Sequence, residues 1–501
     1  MIKRTTDRYV LEYKQNPRTL VNEFIITSTV GAGHKAKHTH YTLYNDDGSV
    51  IGNFEITSEI ANFISNNFEA RGDTASFSIY KSDLDSGHLL PRDHSPIQVN
   101  EVRHHETHQE TSFTATGSKL SYHWPIFEKY RDTGYGSIIR ATMTNHQVCA
   151  SRCQFCSTIS RNKRDSVSLE EAKEFVRKLY FDQANFNKEK FPTYNHKYKK
   201  VTGSDIRLRG LILSGGGQPN LWPHFTEFVR WLADLDIDLG LITNGFPRSV
   251  PEDVYDHFKW IRISITPENA SPFYPQGRFD LQYLPENIKN NPDITVGYSY
   301  VYGPWTTDDI LERIVQSIDD NGFRYCRTLA DCNLARHDQL QAHKALAERL
   351  FSLKLTDEQG RPLHKIFHQL KYHGTPEEAS LLWEDGQCYL QSYSVFWDTT
   401  GHENDGSSFC YPCDSVTVLA EEHSNGKQQI SERKFDPTRW GTVKNTDVEK
   451  LFTMPIKPYF DPREQCSSCL FMRNNKAVKM LLSNPEGPPE SGMAAEHINF
   501  P

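Results

Sequence analysis

From residue 136 to about 345, short apolar runs alternate with stretches whose apolar residues recur every three or four positions. The runs "SIIRATMT", "IRLRGLILSGG", "DLGLITNG", "WIRISIT", "ITVGYSYVYG" and "FRYCRTL" read as strands. Between them "SLEEAKEFVRKLYF", "HFTEFVRWLADL", "EDVYDHFKW", "DLQYLPENIKN" and "TDDILERIVQSIDD" read as helices. Strands apolar on both faces and separated by helices predict a parallel α/β sheet of six strand–helix units, open or closed into a barrel.

The flanking segments have a different pattern. Residues 1–135 alternate strand-like runs with polar turns and form an accessory domain. There "HYTLYNDDGSVIGNFEI" predicts a hairpin turning at Asp46-Asp47-Gly48, followed by the helical "SEIANFISNNF". His104, His105 and His108 sit in a polar stretch without apolar periodicity and are expected in a solvated loop. The Lys- and Tyr-rich "NFNKEKFPTYNHKYKK" is also expected as a solvated loop, inserted after the first helix. Residues 136–355 hold the α/β domain, and 356–485 form a small mixed domain. The Pro- and Gly-rich 486–501 is expected to be a tail.

A chain of 501 residues exceeds one simple core. The net charge of −8 and sequence pI near 6.2 give no global basic field for nucleic acid or a membrane surface. The start, "MIKRTTDRYVLEYKQNP", lacks the apolar core of a signal peptide, and no run is long enough to span a bilayer, so a cytoplasmic protein is expected. Ten cysteines, clustered in so long a chain, read as metal ligands or catalytic thiols, not a disulfide framework.

Three of them crowd into "VCASRCQFCST": Cys149, Cys153 and Cys156. Thiolates are soft ligands for zinc or iron–sulfur clusters. Structural zinc and ferredoxin clusters use four protein ligands. Three cysteines on one loop can hold a [4Fe–4S] cube and leave one iron open to a ligand. The loop follows the first strand, where the loops of parallel α/β sheets form active sites.

This CxxxCxxC loop, with Phe155 before its last cysteine, resembles the signature of the radical S-adenosylmethionine (radical SAM) superfamily. The resemblance covers residues 136 to about 335 and implies a partial (β/α)6 TIM-like barrel that binds a [4Fe–4S] cluster and S-adenosylmethionine. "LSGGGQPNL" stands where the family has a Gly-Gly-Glu-type motif, so Gly215, Gly216 and Gly217 are implied at the methionyl amino group. Gln218 replaces the usual Glu. "LITNG" implies Thr243 and Asn244, "RISIT" implies Ser264, and "ITVGYSYVYG" implies Val296 as further contacts. Phe155 is implied to lie against adenine. The implied chemistry is reductive cleavage of the cofactor to a 5′-deoxyadenosyl radical, which abstracts hydrogen from a peptide, protein or sugar-like small molecule. An electron donor such as flavodoxin or ferredoxin is implied with it.

Cys388, Cys410, Cys413, Cys466 and Cys469 lie in the C-terminal segment. "GQCYLQSYSVFWDTTGHENDGSSFCYPCDSVTV" reads as a hairpin, and with "REQCSSCLFMRNN" it resembles the SPASM and Twitch extensions that hold auxiliary [4Fe–4S] clusters. That resemblance favours Cys388, Cys413, Cys466 and Cys469, with Cys410 as substitute. The paired CxxC spacings of Cys410/Cys413 and Cys466/Cys469 also fit zinc. A zinc-stabilised binding protein without radical chemistry is therefore the alternative. Cys326 and Cys332 are expected as plain buried residues.

Overall fold

The computed structural model describes residues 2–5, 9–15, 22–28, 38–44, 77–80, 113, 117–149, 151, 153, 155–156, 162–245, 250–265, 288, 291–331, 336–355, 366–368, 387–399, 408–414, 443–456, 471–483 and 497–501. The chain divides into two units: Met1–Glu106 with Asp357–Arg361, and Thr107–Thr356 with Pro362–Pro501.

In the first unit β1 (Ile2–Thr5), β2 (Tyr9–Gln15), β3 (Asn22–Ser28), β4 (His38–Tyr44) and β5 (Phe77–Tyr80) form one sheet in that order. Pairing is antiparallel as far as β4 and parallel between β4 and β5. The expected Asp46-Asp47-Gly48 turn, the helix after it and the three histidines lie outside the described residues.

The second unit is built on a ten-stranded sheet. Its strands are β6 (Arg140–Thr144), β7 (Gly210–Ser214), β8 (Asp238–Thr243), β9 (Phe258–Ile265), β10 (Thr295–Tyr302), β11 (Tyr325–Ala330), β12 (Ile366–His368), β13 (Ser394–Asp398), β14 (Phe409–Tyr411) and β15 (Val443–Lys444). Their order is β12-β11-β10-β9-β8-β7-β6-β13-β14-β15. Pairing is parallel from β12 to β13, and β14 and β15 add antiparallel. The six expected strands are β6 to β11. The structure extends them with β12 at one edge and with the C-terminal hairpin β13–β14 at the other.

α1 (Trp124–Thr133) precedes β6. After it α2 (Leu169–Arg177) runs through a wider π-helical turn, Lys178–Asp182, into α3 (Gln183–Lys190) and α4 (Pro192–Thr202). The Lys- and Tyr-rich stretch is thus helical, not a solvated loop. Pro192 opens α4, where a missing N–H costs nothing, and Gly203 closes it with φ +76°. Phe191, Asn195 and Tyr198 are buried. "EDVYDHFKW" is helical only over Glu252–Tyr255, and Phe258–Trp260 already belong to β9. The remaining helices are α5 (Phe225–Ala233), α6 (Asp308–Asp320), α7 (Arg336–Ser352) and α8 (Met472–Ser483).

Alternation along the strands separates two faces. Ala141, Met143, Leu211, Leu213, Ile261 and Ile263 join the core packed against the helices. The opposite face carries Arg140, Ile212, Trp260, Arg262 and Tyr325. Residues 497–501 pack at the amino ends of these strands, although the stretch reads as a tail. Phe500 clusters with Ile212 and Trp260, and a Cβ at Gly210 would stand 2.2 Å from the Asn499 carbonyl oxygen. Asn499 Nδ2 donates to Asp238 Oδ2 at 2.7 Å, and Arg140 donates to the Pro501 carbonyl. His123, kept neutral by a pKa pushed down to about 4 by burial, donates through Nε2 to the Ile498 carbonyl at 3.0 Å. Residues 497–501 thus form a floor under the amino ends of β6, β7 and β8.

Candidate functional site

The loop after β6 is closed at its base by backbone pairing. Val167 N–H donates to Asn145 O at 3.0 Å and Gln147 N–H to Asp165 O at 2.9 Å, with a bridge between His146 and Ser166. Ser168 and Glu171 then cap α2 reciprocally. Cys149, Cys153 and Cys156 are carried within this closed loop, each half-buried. Cys156 N–H donates to Cys153 O at 3.0 Å. Burial pushes the Cys149 thiol up; the Ser151 backbone N–H draws it down, and the nearby Cys156 raises it again.

By donor type, accessibility and spacing the three thiols fit an iron–sulfur cluster. Among the described residues no three His, Cys, Asp or Glu side chains stand together as a finished metal cage. The thiols share one short loop, so a metal would gather them without moving the strands.

The glycine run at the end of β7 has a role that the sequence did not reveal. A Cβ on Gly216 would stand 1.7 Å from Gln147 Oε1, and one on Gly217 would stand 2.2 Å from Val148 O. The close approach is to the base of the cysteine loop. Gln218 N–H donates to Val148 O at 2.7 Å, and His146 Nε2 lies 2.6 Å from Gln218 O. Gly215 remains exposed.

Gln218 itself is buried at 3% exposure. Its amide donates to Thr243 Oγ1 and, at 3.1 Å, to Asn220 Oδ1, while its Oε1 accepts from Asn244 N–H at 2.9 Å. The side chain ties the ends of β7 and β8 together. Asn244 Nδ2 reaches on to Ser151 Oγ in the cysteine loop at 3.1 Å. Phe155 packs on Trp305, ring centroids 5.2 Å apart, and Trp305 donates to Val301 O at 2.9 Å.

The ends of β6, β7, β8 and β10 therefore converge on one loop. Ser264 is half-buried on the face opposite the helix-side core. Val296 is not brought to that face: it is 3% exposed in the helix-side core, because β10 alternates Val296, Tyr298 and Tyr300 outward. His146, Gln147, Ser151 and Trp305 are site-forming residues that the sequence did not single out. Only the Gly-Pro-Trp turn of "YGPWTT" carried a local signal for one of them.

The C-terminal cysteines separate. Cys388 and Cys413, both half-buried, pack against one cluster containing Leu120, Phe127, Ile139, Tyr393 and Val478. Cys410 lies in the helix-side core between Trp397 and Val443, and burial pushes its thiol far above the ordinary range. Cys466, Cys469 and Cys332 lie outside the described residues; Cys326 is buried in the core. Ile139 precedes β6 and Cys149 follows it, so the two cysteine groups sit at opposite ends of that strand. Its five residues alone separate them by ~16 Å.

No helix among the described residues is long and apolar enough to cross a membrane. No family model and no curated protein matches the chain. Among solved structures, Streptococcus suis SuiB bound to precursor peptide SuiA overlaps at TM-score 0.41 and 11% identity, over 69% of this chain and 73% of that one. SuiB bound to S-adenosylmethionine overlaps at 0.37 and 11%, over 62% and 68%. BtrN in complex with AdoMet and 2-DOIA overlaps at 0.25 and 10%, over 69% and 92%. At such scores the architecture rests on the strand order and register above.

Proposed function

We propose that the protein is a radical SAM enzyme. One observation carries the reading: three half-buried thiols on a loop after the parallel strand β6, fixed to the ends of β7, β8 and β10. A [4Fe–4S] cluster bound there supplies the electron that splits S-adenosylmethionine into methionine and a 5′-deoxyadenosyl radical. The chain's own part is positional. Asn244 and Trp305 hold the loop that carries the thiols, and Gly216 and Gly217 let it seat.

Cys388 and Cys413, with Cys466 and Cys469, are the ligand set for an auxiliary cluster of Twitch type. The common packing of Cys388 and Cys413 against one cluster and the burial of Cys410 support this set over zinc at two CxxC pairs. The substrate class is a peptide, protein or small molecule, and the electron donor is flavodoxin- or ferredoxin-like.

Metal analysis of anaerobically reconstituted protein tests the reading. Two cubes give about eight irons and no stoichiometric zinc, with a broad band near ~400 nm. About four irons and one zinc per chain would remove the auxiliary cluster. A colourless protein with zinc alone would favour the non-catalytic binding protein.

A further inference from the structure

Gln147 stands at the base of the thiol loop, just ahead of Cys149, and is fully buried. Its backbone helps to close the loop, through the bond to Asp165 O at 2.9 Å. Its side chain reaches another part of the chain. Nε2 donates to Asp398 Oδ1 at 3.2 Å and to Thr399 Oγ1 at 3.0 Å, both on buried residues at the carboxyl end of β13. Oε1 has no hydrogen-bond partner among the described residues and lies against Gly216, where a Cβ would not fit. Turning the amide over would set two acceptors, Oε1 and the Asp398 carboxylate oxygen, against each other. The sense of this tie is therefore fixed.

The strand that receives it starts at the C-terminal cysteines. Cys388 precedes the short helical turn Tyr389–Ser392, which leads through Tyr393 into β13. β14 runs back from Phe409, opposite Asp398, to Tyr411, opposite Phe396, and on toward Cys413. The amino end of β13 is pinned to the main sheet: Ser137 N–H donates to Ser392 O at 2.8 Å, and Ile139 N–H to Tyr393 O at 2.9 Å. From Ser394 opposite Arg140 to Trp397 opposite Met143 the strand then pairs with β6. One strand thus has Cys388 and Cys413 at its start and Gln147 at its end. Close packing passes a shift at one end on to the other. Groups behind a metal's ligands orient them, and losing one weakens binding by roughly 10–100-fold.

We propose that Gln147 is a positioning residue that ties the thiol loop to hairpin β13–β14, so that metal at Cys388 and Cys413 strengthens the loop's hold on its own cluster. The clusters are taken from the radical SAM reading; the tie stands on the hydrogen bonds alone.

The tie is tested without iron, on the full chain, by mapping the alkylation of Cys149 by iodoacetamide. Gln147→Met keeps the shape and loses the donor, and Cys149 should react about tenfold faster than in wild type. Asp398→Asn keeps an oxygen acceptor and should react as wild type, whereas Asp398→Leu should react as Gln147→Met. Buried Cys326 stays unreactive in every folded variant. Should Gln147→Met fail to fold, Thr399→Val, which removes one of the two bonds, must still speed Cys149. Equal Cys149 rates in these folded variants and wild type overturn the tie.

Coupling is read on reconstituted protein, as the rate at which Cys149 loses its protection from iodoacetamide under an iron chelator. Cys388→Ala and Gln147→Met should each speed that loss about tenfold, and the double variant should be no faster than either. Effects that multiply, or no effect of Cys388→Ala, overturn the coupling. If iron never protects Cys149 in wild type, the radical SAM reading fails and the coupling with it, while the iron-free rates still decide the tie.

Discussion

Gln218 is the residue where the chain departs from its resemblance, and the structure gives the departure a reason. The amide both donates and accepts inside a buried network of Thr243, Asn244, Asn220 and Tyr255. A carboxylate at 218 can still accept from the Asn244 N–H and the Thr243 hydroxyl if the Asn220 amide turns over against the Tyr255 hydroxyl. Gln218→Glu is therefore expected to keep S-adenosylmethionine cleavage within about tenfold of wild type, ~1.4 kcal/mol. A thousandfold loss would show that the amide acts on a ligand directly. Lys129 makes a different prediction. Fully buried, it bonds the Gly136 carbonyl and Asn187 Oδ1, and burial pushes its amine from 10.5 down to about 7. Between those values the unfolded chain holds a proton that the folded chain has released, so this residue makes stability rise with pH from about 7 to 10.5. Denaturant titrations across that window should show the slope in wild type and its loss in Lys129→Met.

At the scale of elements, the strand–helix order and the cysteine loop were legible because apolar period and ligand spacing are local. Long-range packing was not. The close approach of Gly216 to Gln147 leaves no mark in the glycine run itself. Val296 reads as a chamber residue until the register of β10 turns it outward. The Lys- and Tyr-rich stretch reads as a loop because its charge hides Phe191 and Tyr198, which pack on Lys129 and Tyr135 and on His123. The hairpin β13–β14 was legible, but its pairing with β6 was not, since a parallel partner some 250 positions away leaves no mark on the local pattern. That hairpin sorts the iron by element. Cys388→Ala should release about half of the iron, and Cys410→Ala should leave the metal content unchanged. Metal content unchanged in Cys388→Ala, with zinc lost in Cys410→Ala, would return the site to zinc.

For the whole molecule, the floor is a matter of stability and the loop end a matter of chemistry, and the two are separable. Phe500 is 4% exposed against Trp260 and Ile212, so Phe500→Ala should cost ~3 kcal/mol, read as a lower denaturation midpoint. It should leave bound iron unchanged at temperatures where the protein stays folded. Equal midpoints would mean that residues 497–501 only rest on the sheet. The thiol loop is tested at the other end. Cys149, Cys153 and Cys156 are replaced together by Ala, and 5′-deoxyadenosine is measured from S-adenosylmethionine and dithionite under anaerobic conditions. Wild type should release it, and the triple variant, folded with an unchanged denaturation profile, should release none. Release by the triple variant at the wild-type rate would contradict the assignment of the cleaving cluster to this loop.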